Sequence, residues 1–74
     1  MSVISYEDAK QLTLDRLEQV KNSLPASERS RPRYIIQGKS FSVLSLISEV
    51  IRNTDVGKSR VYSEMQSLGY AISD

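Results

Sequence analysis

Between Tyr6 and Leu24 the apolar positions recur at helical spacing. Tyr6, Ala9, Thr13, Leu17, Val20 and Leu24 share one stripe at about 100° per residue, with Leu12 and Leu14 on its two sides. Ser5 stands at the N-cap position, and Glu7 and Asp8 fill the first turn, where the helix dipole favours acids. The pattern predicts a helix over 5–24. Pro25 stops it, because the residue before a proline is pushed away from helical angles. PASERSRP, residues 25–32, is polar, bracketed by prolines and without period, so it reads as a loop. RYIIQ, residues 33–37, is β-branched and aromatic and ends at Gly38, which predicts a short strand. On that strand Tyr34 and Ile36 share one face, and Arg33, Ile35 and Gln37 the other.

Val43, Leu44, Leu46, Ile47, Val50 and Ile51 cover a face broader than a surface helix needs. A helix over 41–53 is therefore expected to be the central, most buried element, with Ser40 or Ser42 as its cap. Val61, Met65 and Leu68, with Tyr62 at the edge, give a last helix over 58–68. Gly69 suits a left-handed C-terminal cap, and residues 70–72 predict a closing strand beside RYIIQ. Ser42, Ser45 and Ser48 are placed on the exposed side of the central helix. The whole is one small mostly helical α+β domain over 1–74: helix, strand, helix, turn, helix, strand.

Gly-Lys-Ser occurs at 38–40 and again at 57–59. A phosphate-binding loop needs another glycine five positions earlier, and Arg33 and Arg52 stand there. Such a loop also belongs to a buried parallel sheet, which a chain of 74 residues cannot build. Both copies are instead expected to turn the chain and open a helix, with Gly57 acting as the turn of the second. Nucleotide binding is not expected.

Composition removes further chemistry. There is no Cys, His or Trp, which excludes disulfides and thiolate or imidazole metal sites and leaves proton transfer to carboxylates, lysines and tyrosines. Neither a Gly-x-Ser-x-Gly elbow nor a metal-ligand spacing occurs, and most carboxylates fall on solvent faces of the expected helices. The expectation is a non-enzymatic chain without a cofactor, metal or small-molecule substrate. No apolar run reaches the roughly 18 residues of a membrane span, and the N-terminus lacks a basic stretch followed by an apolar block. A cytoplasmic protein without a membrane partner is expected. A chain this short buries only about 60% of its unfolded surface, so oligomerisation is a standing expectation.

The net charge of +1 hides a segregation. Residues 29–60 hold seven basic side chains (Arg29, Arg31, Arg33, Lys39, Arg52, Lys58, Arg60) and two acidic ones, while both flanking segments are net acidic. A basic middle suits an anionic partner.

The element order resembles that of winged helix-turn-helix domains over residues 5–72, without the further strand that completes a wing. The resemblance is one of topology and implies a nucleic-acid-binding, transcription-associated regulatory module. Helix 58–68 would then read DNA: Ser59, Arg60 and Ser63 would face bases, and Lys39, Arg52 and Lys58 would neutralise phosphates. A strand followed by two helices also resembles a ribbon-helix-helix dimer, in which Arg33, Ile35 and Gln37 would read the groove. The alternative is a protein-protein or homo-oligomeric adaptor. Ser59, Ser63 and Ser67 recur every four residues, with Tyr62 beside them, and small side chains let a partner backbone approach. An uncharged patch of Tyr62, Tyr70 and Phe41, or the edge of RYIIQ, would serve the same end. The two readings part on whether the basic residues converge on the face carrying Arg60.

Overall fold

The computed structural model describes residues 2–73. The chain order is β1 (Ser2–Ser5), α1 (Tyr6–Ser23), a 3-10 turn (Ala26–Glu28), β2 (Tyr34–Ile36), β3 (Lys39–Phe41), α2 (Val43–Ile51), α3 (Asp55–Leu68) and β4 (Tyr70–Ser73). Three helices enclose the core, and two small two-stranded sheets lie at its margins. This is the expected mostly helical α+β architecture. Its one hairpin precedes the α2–α3 pair, where a wing would follow it.

α1 forms as its sequence dictates. The Ser5 hydroxyl accepts from Asp8 N–H at 3.2 Å, and Leu24 is extended ahead of Pro25. Its stripe buries Ala9, Thr13 and Leu17. Thr13 tolerates burial because its hydroxyl donates to Ala9 O at 2.8 Å. α2 is the most buried helix: Val43, Leu46 and Val50 are fully covered and Ile47 nearly so. It is shorter than 41–53, because Phe41 belongs to β3 and Ser42 is the N-cap, accepting from Ser45 N–H at 3.1 Å. Capping buries Ser42, so only Ser45 and Ser48 stand on the exposed side. Leu44 and Ile51, assigned above to the apolar face, are exposed, because four residues suffice to fill the contact. Leu68 is likewise exposed, leaving Val61 and Met65 as the buried stripe of α3.

The two Gly-Lys-Ser copies separate. Gln37 and Gly38 both have positive φ, 54° and 77°, which makes a two-residue hairpin turn between β2 and β3. Lys39 and Ser40 continue as strand, with Ile35 opposite Ser40 and Ile36 opposite Lys39. The first copy thus turns the chain as expected, but into a second strand before the helix. Gly57 is not a turn. α3 begins three residues earlier than its expected start at 58, because Thr54 caps it by accepting from Gly57 N–H at 3.1 Å. Gly57 is instead where α3 crosses α2. A Cβ there would stand 2.1 Å from Glu49 O. The turn itself is made by Asn53, with φ of 56°, between α2 and α3. α1 holds that turn in place: Tyr6 donates to Asn53 Oδ1 at 3.3 Å and Lys10 Nζ to Ile51 O at 3.2 Å.

Gly69 ends α3 in the left-handed conformation, as expected. The closing strand that follows does not pair with RYIIQ. β4 runs parallel to β1, with Ser2 opposite Tyr70 and Ser5 opposite Ser73. β2 is already paired with β3. Ile4, Tyr70 and Ile72 lie against the core, while Val3 points to solvent at 68% exposure.

Candidate nucleic-acid interface

The expected site residues fall into two groups. Ser59 and Ser63 come together with the hairpin. With Ile35, Ile36, Gln37 and Arg60 they line a groove of about 270 Å³ between β2 and α3. The groove therefore joins the residues of both expected DNA surfaces: the serines of the last helix, and Ile35 and Gln37 of the strand. Ile35 is 79% exposed on its rim. Lys39 follows the hairpin turn and Lys58 precedes Ser59, and both are exposed. Arg33, Lys39 and Lys58 make no ion pair among the described residues, so their charges are available to a partner.

Arg52 is not part of this surface. α2 separates it from the hairpin, and its guanidinium pairs with Glu49. Arg60 lines the groove but is not a free arm. Its guanidinium lies 4.9 Å from the Tyr34 ring centre, a cation–π contact, and pairs with Glu64 one turn on. Glu64 also accepts from Arg16 Nε of α1 at 2.7 Å. One carboxylate with a 10% exposed side chain thus sits between two guanidiniums. Arg60 ties β2 to α3, and Glu64 ties α3 to α1. The Arg60–Glu64 spacing of four residues is a helical neighbour relation legible in sequence. Arg16 gives no such signal, since only the tertiary crossing of α1 and α3 brings it there.

The alternative partner face is divided. Ser67 is exposed one turn beyond Ser63. Tyr62 is half exposed on the neighbouring flank, its ring centre 6.2 Å from that of Tyr6. Partial burial, the neighbouring Tyr62 and the Glu7 carboxylate raise the Tyr6 phenol above its ordinary value of 10.0. Tyr70 and Phe41 are half-buried against the core and do not join Tyr62 in an exposed patch. No helix among the described residues is long and apolar enough to cross a membrane.

Compared with protein-family models, with curated proteins and with solved structures, the chain matches none.

Proposed function

We propose that this protein is a non-enzymatic nucleic-acid-binding module of regulatory type, and that it binds through the groove between the hairpin and α3. The supporting observation is the convergence of Gln37, Ser59 and Ser63 on one groove, with Arg33 next to β2, Lys39 on β3 and Lys58 on α3 free of ion pairs among the described residues. Both a helix and a two-stranded ribbon fit the DNA major groove, about 12 Å wide. The three cations neutralise phosphates and set the register. The amide of Gln37 and the two hydroxyls supply short donors and acceptors for base edges. Arg60 acts indirectly, holding β2 against α3.

The test is a titration of mixed-sequence duplex DNA at several salt concentrations. Three phosphate contacts give a slope of log K against log salt near −2.7, about −0.9 for each. Replacing Lys39 and Lys58 together by alanine removes about two-thirds of that slope. Absence of binding at low salt refutes the reading.

A second reading rests on a separate observation. Among the described residues the parallel β1–β4 pair has two strands, so each strand has an outer edge without a sheet partner there, and Val3 is exposed beside it. Such edges favour a protein partner or a second copy. A dimeric mass in solution that falls to monomer on Val3→Lys substitution supports this reading, and a monomeric wild type removes the second copy.

A further inference from the structure

The Arg16–Glu64–Arg60 cluster borders a second cavity, distinct from the hairpin groove. It lies between α1 and α3, measures about 350 Å³, and has Arg16, Gln19, Arg60 and Glu64 as polar walls over Leu17 and Val20. Ser23 is also at its border, with its hydroxyl committed to Val20 O at 2.8 Å.

The charges there do not balance. Two guanidiniums share a single carboxylate, which leaves one positive charge at the cavity wall. Nor do the hydrogen bonds close. Arg60 Nε is shielded from solvent and has no acceptor among the described residues. The shielding that keeps water from this nitrogen keeps an incoming oxygen from it too, so the donors left to a ligand are the other N–H groups of the two guanidiniums. Arg16 uses its Nε for Glu64, and its side chain is 47% exposed.

The geometry points to this cavity as a binding site for a phosphate-type tetrahedral oxyanion, held between Arg16 of α1 and Arg60 of α3. The planar carboxylate already present, Glu64, reaches one nitrogen of each guanidinium and leaves the remaining N–H groups of the half-exposed Arg16 to other acceptors. A group with oxygens directed four ways meets the remaining guanidinium N–H groups of Arg16 on one wall and of Arg60 on the other, and the amide of Gln19 adds another donor. The anion neutralises the excess charge. Its source is either a free phosphate or phosphate monoester, or a backbone phosphate of a bound nucleic acid, since Arg60 borders both the cavity and the groove. The inference does not require the nucleic-acid reading.

The experiment is a titration of the ¹⁵N-labelled full chain with sodium phosphate, ionic strength held constant with sodium chloride. Saturable amide shifts confined to residues 16–23 and 60–64 are expected. Arg16→Gln, at a half-exposed position, should keep the dispersed amide spectrum of the folded chain and weaken phosphate binding about tenfold or more. Three results overturn the site: no saturable shift up to tens of millimolar phosphate, shifts centred elsewhere, or binding unchanged in Arg16→Gln. Acetate binding equally well overturns the tetrahedral class. DNA titration of the same variant separates the sources. A salt slope lowered by about 0.9 identifies a backbone phosphate, and an unchanged slope with phosphate binding lost identifies a free one. A protein that binds phosphate but no DNA retains the site and loses only the nucleic-acid reading.

Discussion

Replacing Gly57 by alanine sets two physical effects against each other. In a helix, glycine is less favourable than alanine by about 0.5–1 kcal/mol, so propensity alone makes the substitution stabilising. Packing predicts the reverse. The added Cβ would lie 2.1 Å from Glu49 O, 2.5 Å from Glu49 C and 2.8 Å from Val50 Cα. Carbon atoms ordinarily meet at about 3.5–4.0 Å. All three neighbours are backbone atoms of α2, so no rotamer change relieves the contact and the helices must separate by about 1 Å. That opens the α2–α3 interface and loosens a core in which Val50 and Val61 are fully buried. Overpacking costs about 1–3 kcal/mol, and a backbone clash belongs at the upper end. Less the propensity gain, the net destabilisation is about 2 kcal/mol. A 74-residue domain has about 4–11 kcal/mol in all. Thermal unfolding followed by circular dichroism should show Tm falling by about 8–16 °C. Ser63→Ala, exposed on the same helix, should change stability by less than about 0.5 kcal/mol and serves as control. A Gly57→Ala variant as stable as wild type, or more so, refutes the close crossing of α2 and α3.

Gly38→Ala tests the opposite case: its φ is 77° with nothing within 4 Å of an added Cβ, so only the backbone term acts, about 1–2 kcal/mol, and urea titration should show that modest loss. Thr54→Ala removes the cap of α3 and should lower stability by about 1 kcal/mol in the same assay, with Thr54→Ser close to wild type. The raised Tyr6 phenol means that the folded state holds its proton more tightly than the unfolded state. Its stabilising contribution is complete below pH 10 and declines as pH rises from there through the folded-state value. Tm measured from pH 9 upward should therefore fall less steeply for Tyr6→Phe than for wild type.

The helices were legible because their signals are local. Ser5, the stripe through Ala9, Thr13 and Leu17, and Pro25 define α1 within its own residues. Gly57 was misread because a glycine near a helix start looks the same whether it supplies a turn or a close approach. Only the position of Glu49 decides, and that is tertiary. β1 went unseen because SVIS is four residues long and its partner lies at 70–73. The candidate site was half legible. Ser59, Ser63, Ile35 and Gln37 were each identified, on two rival surfaces, and their union depends on how β2 packs on α3. Arg60 was expected to face DNA bases rather than to brace β2 against α3, because neither Tyr34 nor Arg16 is near it in sequence.

The parallel pairing of β1 with β4 also fixes an order of events during synthesis. β1 leaves the ribosome ahead of the three helices, and its sheet partner among the described residues, β4, leaves after them. Translation at about 5–20 residues per second separates the two by several seconds. The hairpin and the α2–α3 crossing are local enough to form during that interval, since near-neighbour contacts close faster than distant ones. Until residues 70–73 emerge, Val3 and Ile4 stay on an unpaired strand of the nascent chain. The arrival of β4 is then the step that closes the parallel pair.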